Sequence, residues 1–136
     1  MSSPLTSSSA GSEQLRAVFQ AYVDSWTNGD EAARRAVFAN DIVAEDPVGS
    51  PPMHGIEAWA KFWRDTAIPG AKAKATLTKF VACGNEALAA FTMQISPPGG
   101  APPISIEVHE TLVFNADRKI AKLRAYWNDS TMKVGG

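Results

Sequence analysis

The sequence predicts an α+β fold, in which a curved antiparallel sheet is covered on one side by three N-terminal helices. Apolar residues recur at spacings of three and four in three segments of the first half of the chain, as they do in amphipathic helices. Beyond Pro69-Gly70 the spacing changes to two, which indicates long strands joined by hairpins. The 136 residues suit one domain. We assign it to residues 12–136 and expect the Ser-rich residues 1–11 to be a disordered tail.

The composition excludes several classes of function. The chain is 45% hydrophobic and 20% charged with a formal net charge of -1, and it has no basic stripe of the kind that binds nucleic acid. No apolar run approaches the roughly 20 residues needed to span a membrane, and the N-terminus lacks the apolar segment of a secretion signal. The lone Cys83 fits a reducing cytoplasm. No Cys, His and carboxylate cluster has the spacing of metal ligands, so we expect no bound metal.

The first helix is predicted from Ser12, a plausible N-cap, to a stop at Asn28-Gly29. Its apolar stripe comprises Leu15, Val18, Phe19, Tyr22, Val23 and Trp26. A tyrosine in such a stripe is most often a core residue whose hydroxyl reaches the edge. Because a buried phenol needs a partner, the hydroxyl of Tyr22 could equally point into a cavity as a hydrogen-bond donor.

Two shorter helices follow. Asp30 caps the second, which we place from Glu31 to about Phe38, ended by Asn40-Asp41, with Arg34 and Arg35 on its solvent side. A third, from Ile56 to Thr66, follows the loop of residues 50–55. Its aromatic face has Trp59, which we interpret as a core residue, and two residues that could pack on the sheet or line a pocket, Phe62 and Trp63. His54, just before this helix, has no titratable partner in the pattern, and we interpret it as structural.

The first strand carries a candidate catalytic acid at its end. In the stretch from Ile42 to Gly49, period two places Ile42, Ala44 and Asp46 on one face. Pro47 keeps Asp46 extended, and Gly49 allows the chain to turn. Asp46 is then either a solvated turn residue or a carboxylate over an apolar cavity, where it could accept a proton.

A second acid lies within a predicted apolar face. We expect strands over residues 73–82, 87–95 and 104–114 and a last strand that ends near Trp127, joined by a hairpin at Cys83-Gly84-Asn85-Glu86 and a loop over 97–103. In the third of these strands Ile104, Ile106, Val108, Glu110, Leu112 and Phe114 share one face. No Lys or Arg falls on this face or its neighbour, so Glu110 should keep its proton, unless a bulge lets it reach water.

Together, Asp46 as a base and Tyr22 and Glu110 as donors are the groups needed to remove a proton beside a ketone and to stabilise the resulting enolate. That reaction requires no cofactor. A large, flat, apolar substrate is indicated by the apolar residues that we assign to substrate binding, which are Trp26, Phe62, Trp63, Phe91, Met93, Val108, Leu123 and Trp127.

From about Leu15 to Asn128 the chain resembles the steroid Δ5-isomerases (ketosteroid isomerases), within a superfamily that is similar to nuclear transport factor 2 and the small polyketide cyclases. The segments that carry the resemblance are Ala21-Tyr22-Val23 with Gly29-Asp30, Glu45-Asp46-Pro47-Val48-Gly49, Pro51-Pro52-Met53-His54-Gly55, and Ala125-Tyr126-Trp127. The resemblance implies a cone-shaped fold, a steroid substrate and a homodimer. Members of that family keep one carboxylic acid neutral at pH 7, so the expectation that Glu110 keeps its proton is not independent of the resemblance.

By position, the resemblance makes Asp46 the base that moves a proton from C4 to C6 of a 3-oxo-Δ5-steroid, Tyr22 the oxyanion-hole phenol and Trp127 a substrate contact. Glu110 stands where the family has an aspartate, and its extra methylene displaces the carboxyl. Phe38 and Trp63 stand where some members have tyrosines that support the phenol. These departures leave open a binding protein with little catalysis. Dehydratases, epoxide hydrolases and cyclases of this fold usually need an inward His-Asp or Asp-Arg-Asp set, which the pattern does not offer.

Overall fold

A computed structural model describes residues 4–135 of the chain, with side chains from residue 11 onward. Its helices are α1 (Pro4–Asn28), α2 (Glu31–Ala36) and α3 (Ile56–Thr66), with one 3₁₀ turn at Asp129–Thr131. Its strands are β1 (Phe38–Glu45), β2 (Met53–His54), β3 (Lys72–Cys83), β4 (Glu86–Ser96), β5 (Ile104–Phe114), β6 (Ile120–Tyr126) and β7 (Met132–Val134). The predicted α+β class is confirmed.

The strands form one mixed sheet in the order β2-β1-β6-β5-β4-β3, with β7 paired to β5. The four long strands are antiparallel as predicted, but β1 runs parallel to β6, so the sheet is mixed and not antiparallel throughout. Parallel pairing is possible here because the connection from β1 to β6 is long. Register shifts in β1, β3 and β5 bend the sheet. The sheet is therefore curved and open.

Helix α1 packs its predicted apolar stripe against the sheet, since Leu15, Phe19, Tyr22 and Val23 are buried. The helix ends at Asn28 as predicted, and Gly29 takes the left-handed conformation, with φ +61°. The start predicted at Ser12 was too late, because α1 begins at Pro4, where proline's missing N–H costs nothing. Of the predicted tail over 1–11, residues 1–3 lie outside the described residues.

Helix α2 is shorter than predicted. The Asp30 carboxylate caps it by accepting a hydrogen bond from the Ala33 N–H at 3.0 Å, but the helix ends at Ala36 and not near Phe38. The buried Val37-Phe38-Ala39 segment extends instead, and Phe38 pairs with Ile120 of β6. Arg34 was predicted to face solvent, and this was wrong, because its side chain is buried with 6% exposure.

Helix α3 has the predicted bounds, and its buried face comprises Trp59, Ala60 and Trp63. The preceding segment was predicted as loop only, but Met53 and His54 pair with Ala44 and Val43 as β2. The hairpin at Gly84-Asn85 is confirmed. The short strand β7 was not predicted.

The inner face of the sheet follows the predicted alternation over most of its length. Val108, Glu110, Leu112 and Phe114 of β5 are buried, as are Leu123 and Ala125 of β6. At the start of β6, Ile120 and not Ala121 is fully buried, because the register shifts between Val113 and Phe114. The helices cover this face, and the core lies between the two layers.

Candidate active site

Asp46 directly follows β1, on the face that Ile42 and Ala44 bury completely. Glu45 alternates to the other face, where its Oε1 lies 3.3 Å from the Arg124 guanidinium. The Asp46 Oδ1 accepts a hydrogen bond of 2.6 Å from the Trp127 indole N–H. Burial raises the pKa of Asp46, and the Trp127 N–H partly offsets that rise. Asp46 is thus a partly buried carboxylate with one fixed donor.

Tyr22 lies on α1 with 2% exposure, surrounded by aromatic rings. Its ring centroid is 5.4 Å from that of Phe38, 5.6 Å from Phe19 and 6.1 Å from both Trp26 and Phe91. Burial raises the pKa of the Tyr22 phenol well above its usual 10.0, and the charges of the two nearby carboxylates raise it further. The phenol is therefore protonated over the whole neutral range and can act as a donor.

Glu110 lies in the middle of β5 between two alanines. It pairs with Ala89 of β4 and Ala125 of β6, and all three are buried. Because both neighbours on this row are small, space above the sheet is left for the longer carboxyl side chain. Its Oε1 is buried and has no hydrogen-bond partner among the described residues. Burial raises the pKa of Glu110 well above 4.5, and the charge of Asp46 adds to the rise.

The sheet register brings the two acids to one row. Glu45 is paired with Arg124, so the next residue, Asp46, comes beside Ala125, which in turn pairs with Glu110. Two strand spacings separate the Asp46 and Glu110 backbones by about 10 Å. The phenol of Tyr22 is close enough for both carboxylates to raise its pKa. The structure thus brings together the three residues that the sequence analysis grouped.

The surroundings of the two acids decide which one holds a proton. The Asp46 carboxylate has the Trp127 N–H as a partner, whereas the Oε1 of Glu110 has none. An ionised carboxylate is stable in an apolar interior only where donors replace water. Near neutral pH the proton is therefore more stable on Glu110, and the charge is more stable on Asp46. The site offers one acceptor and two donors, Tyr22 and Glu110.

All eight residues that we assigned to substrate binding lie in or against the core that contains Tyr22. Trp63, Phe91, Val108 and Leu123 are buried within it. Trp26, Phe62, Met93 and Trp127 are partly exposed at its boundary. The residues assigned to substrate binding therefore pack with Tyr22 as part of the core. The Phe62 ring stacks on Trp59 with centroids 5.6 Å apart, and Trp59 is fully buried. The interpretation of Trp59 as a core residue is therefore confirmed.

A pocket of about 440 Å³ lies outside this core, beside the exposed residues His109 and Tyr126. It touches the active-site region only through Trp127 and the turn after Asp46, and it reaches neither Tyr22 nor Glu110. Its lining comprises Pro47, Val48, His109, Tyr126, Trp127, Asn128, Ser130 and Thr131. It is therefore distinct from the cavity that the sequence analysis predicted.

The chain's two histidines lie away from the three-residue site. His54 and His109 are both exposed, and His109 faces the outer side of the sheet, with its Nε2 3.3 Å from Glu107 Oε1. Within residues 4–135, no three His, Cys, Asp or Glu side chains are grouped to hold a metal ion. No helix of the described part is long and apolar enough to span a membrane.

Two features of the site escaped the sequence analysis. Trp127 was assigned to substrate contact, but its N–H is the partner of Asp46. Arg34, assigned to solvent, lies with its guanidinium carbon 3.5 Å from the centroid of the Trp26 ring. The sequence contains a weak signal for the first feature, since Trp127 falls on the inner face of the last strand. It contains none for Arg34, because a helix of six residues has too few turns to define a buried side.

Comparisons with known proteins agree with this architecture. The family model of the SnoaL-like domain matches residues 19–123. Among curated proteins, the chain is similar to a steroid Delta-isomerase of Nocardioides simplex, with 31% identity over 123 residues, which cover 90% of this chain and 97% of that protein.

Solved structures with the same fold have diverse roles. The epoxide hydrolase/cyclase-like enzyme SalBIII, described in pyran ring formation in salinomycin, superimposes with a TM-score of 0.77 at 19% identity, over 90% of this chain and 96% of its own. A computationally designed 17-OHP binder gives 0.74 at 24% identity, over 87% and 95%. RV0760c from Mycobacterium tuberculosis, in complex with estradiol-17beta-hemisuccinate, gives 0.73 at 23% identity, over 85% and 95%. At these identities the likeness establishes the fold alone.

Proposed function

Because this chain belongs to the SnoaL-like domain family, together with the ketosteroid isomerases, we propose that it converts 3-oxo-Δ5-steroids into 3-oxo-Δ4-steroids. The observation that carries the proposal is the position of Asp46, one residue beyond the Glu45–Arg124 pair and next to the Ala125–Glu110 pair, with both carboxylates near enough to the Tyr22 phenol to raise its pKa. A carboxylate with a fixed N–H partner lies near a carboxyl that favours its proton. That arrangement is the one that enolate chemistry needs.

In the proposed reaction Asp46 accepts a proton from C4 of the steroid, and the electron pair of that C–H bond moves into a dienolate whose charge lies on the C3 oxygen. Tyr22 and Glu110 donate hydrogen bonds to this oxygen. The protonated Asp46 then returns the proton to C6, and the double bond moves into conjugation with the carbonyl. Each donor in a water-poor site contributes about 3 kcal/mol to such a transition state.

The pKa directions suit these roles. Burial raises the pKa of Asp46 from 3.8, which makes it a stronger base toward a weakly acidic C–H bond, while the Trp127 N–H limits that rise and favours the ionised form. Burial keeps Tyr22 and Glu110 protonated, so neither loses the hydrogen that it must donate. The Glu110 side chain has the room that Ala89 and Ala125 leave, which supports a glutamate at a position where the family has an aspartate.

The substrate class follows from the side chains around the three polar groups. Apolar and aromatic side chains surround the three polar groups, so a flat apolar molecule with one carbonyl is the ligand they favour. Since the core is packed around these groups, side chains must move for a ligand to enter, and the partly exposed ones at its boundary are Trp26, Phe62, Met93 and Trp127. The Nocardioides simplex relative is named as a steroid isomerase, which supports the same choice.

The test is an assay with 5-androstene-3,17-dione, followed by the growth of conjugated-enone absorbance. We expect turnover by the wild-type protein and near-complete loss in Asp46→Asn, which keeps the shape of the side chain and removes the base. The matched control is Glu45→Gln, one residue earlier and on the other face of β1, which should retain activity. Activity of the wild type no greater than that of Asp46→Asn would rule out the proposal.

A second candidate is a steroid-binding protein with little catalysis. Two observations favour it: Glu110 replaces the family's aspartate, and Tyr22 has Phe38 and Trp63 nearby instead of supporting hydroxyls. Tight binding of a steroidal phenol such as equilenin, together with negligible turnover of 5-androstene-3,17-dione, would select this alternative.

A homodimer and a cytoplasmic location belong to the same proposal, since the family resemblance implies the first and the lone Cys83 favours the second. Light scattering coupled to size-exclusion chromatography tests the dimer, for which a mass near twice 14.5 kDa is expected. A mass near 14.5 kDa at micromolar concentration would contradict it.

A further inference from the structure

Arg34 is buried with 6% exposure, but no Asp or Glu of the described residues forms an ion pair with it. Its Nε donates to Ser25 Oγ at 3.1 Å, and its Nη2 donates to the Ser25 carbonyl oxygen, also at 3.1 Å. Ser25 Oγ in turn donates to the Tyr22 carbonyl oxygen. A buried guanidinium held by one serine and no carboxylate is costly to desolvate. It therefore needs a further stabilising contact.

Two indole rings supply that contact. The Arg34 guanidinium carbon is 3.5 Å from the centroid of the Trp26 ring and 5.1 Å from that of Trp63. A cation over an indole face is stabilised by the ring's electron density, and a guanidinium stacks well on such a face. The same contact draws electron density from the Trp26 ring and makes its N–H a stronger donor. Arg34 thus fixes the plane of Trp26 and polarises it.

Trp26 lies one helical turn after Tyr22, on the same face of α1. The two rings are nearly perpendicular, at 84°, with centroids 6.1 Å apart. The Trp26 Nε1 is buried without an acceptor in hydrogen-bond geometry among the described residues. It is nevertheless close enough to the phenol to lower the pKa of Tyr22, as the Arg34 charge also does.

We propose that Trp26 and Arg34 are positioning residues for Tyr22, with the polarised Trp26 N–H donating to the phenol oxygen when Tyr22 donates its own hydrogen to a ligand oxyanion. In this protein the pair takes the place of a supporting hydroxyl, which the neighbouring Phe38 and Trp63 do not offer. Negative charge grows on the phenol oxygen as its O–H bond lengthens, so a donor to that oxygen strengthens the bond to the ligand. The proposal rests on the isomerase function for its catalytic consequence but not for its test.

The test reads the phenol directly. The chain has two tyrosines, so Tyr126→Phe leaves Tyr22 as the single site for a fluorinated tyrosine with a more acidic phenol. Its ionisation is followed by fluorine NMR against pH. The groups that face this phenol are Glu110, Asp46, Trp26 and Arg34, and only the last two lower the pKa of Tyr22. Removing the Trp26 donor should therefore raise the titration midpoint.

In this background Trp26→Phe should raise the midpoint by about one pH unit, because a hydrogen bond to the charged form is lost. The matched control is Trp59→Phe, which removes an equally buried and unpartnered indole N–H from a ring stacked on Phe62, and it should leave the midpoint unchanged. Arg34→Lys keeps the charge but not the planar stack, and should raise the midpoint by less. If circular dichroism shows that Trp26→Phe does not fold, the titration midpoints of Arg34→Lys and Trp59→Phe are compared instead, and a rise in Arg34→Lys alone supports the inference.

In the isomerase assay Trp26→Phe should lower kcat about tenfold with little change in KM, since Phe keeps an apolar ring against the substrate and the lost donor acts through Tyr22 in the transition state. An unchanged midpoint in Trp26→Phe, or an equal rise in Trp59→Phe, would overturn the inference even if the wild-type enzyme is active. A raised midpoint in a protein with no isomerase activity would support the inference and refute the proposed function instead.

Discussion

Asp46 and Glu110 have the same functional group on the same face of one sheet, but their surroundings differ. Asp46 follows the end of a strand, is partly exposed and accepts a 2.6 Å hydrogen bond from Trp127. Glu110 lies within a strand, is 2% exposed and has an unpartnered oxygen. One hydrogen-bond donor and a difference in burial thus separate the acid that better tolerates a charge, Asp46, from the acid that favours its proton, Glu110. Two residue types of similar chemistry can thus be assigned opposite roles from their environments.

The largest effect is expected when Asp46, the acid that better tolerates a charge, loses its carboxylate. Asp46→Asn should lower kcat by about a thousandfold, because Glu110, the other carboxyl group of the proposed site, favours its proton and so cannot replace Asp46 as the base at C4. Enone formation from 5-androstene-3,17-dione measures it, with Glu45→Gln as the control. If Asp46→Asn kept most of its activity while Glu110→Gln lost it, the roles of the two acids would have to be exchanged.

Replacing Glu110, the acid that favours its proton, should reduce activity less than replacing Asp46. It should also increase stability, whereas replacing Asp46 should decrease it. Glu110→Leu should lower kcat by about a hundredfold by removing one oxyanion donor. It should also raise the free energy of unfolding by about 1 kcal/mol, because a buried carboxyl without a full set of partners is replaced by an apolar side chain of similar length.

Asp46→Leu is the matched comparison for stability. It leaves the Trp127 N–H without its acceptor and should lower the free energy of unfolding by about 1 kcal/mol. Urea denaturation of the two leucine variants measures both changes. Equal signs in the two variants would contradict the difference in surroundings that separates the two acids.

The pH dependence of stability sharpens the same comparison. The pKa of Glu110 is raised in the folded protein, so above pH 4.5 the unfolded chain releases a proton that the folded protein keeps. Stability contributed by this group is therefore present below pH 4.5 and is lost as the pH rises toward the folded-state pKa. Relative to Glu110→Gln, the wild type should lose up to about 1.4 kcal/mol of unfolding free energy per pH unit in that range.

The stability contributed by Asp46 is likewise lost as the pH rises above 3.8, but the Trp127 N–H opposes the rise in the pKa of Asp46. The difference between the wild type and Asp46→Asn should therefore change less steeply with pH. Urea denaturation of the three proteins from pH 4 to 8 measures both slopes. A wild type that gains stability with pH relative to Glu110→Gln would show that Glu110 is ionised in the folded protein.

Much of this site could be predicted because strand alternation is a local rule. Period two alone places Asp46 after Ile42 and Ala44, and Glu110 between Val108 and Leu112, and the structure agrees. The parallel pairing of β1 with β6 depends on which strands become neighbours after a long connection, and no local pattern encodes it. The burial of Arg34 likewise depends on how α1 and α3 bring Trp26 and Trp63 together. Prediction failed where tertiary packing decided the outcome.

The smallest expected effect is that of adding a hydroxyl group beside the phenol of Tyr22. Phe38→Tyr adds a hydroxyl on a buried ring 5.4 Å from that of Tyr22, at a position where the family resemblance implies a supporting tyrosine in some members. It should raise kcat two- to threefold, about 0.5 kcal/mol, because the new hydroxyl becomes a further donor to the Tyr22 oxygen. Phe19→Tyr, on another side of the same ring at 5.6 Å, adds a hydroxyl without that partner and should leave kcat unchanged. No gain in Phe38→Tyr, or an equal gain in Phe19→Tyr, would contradict a supporting role for a hydroxyl at this position.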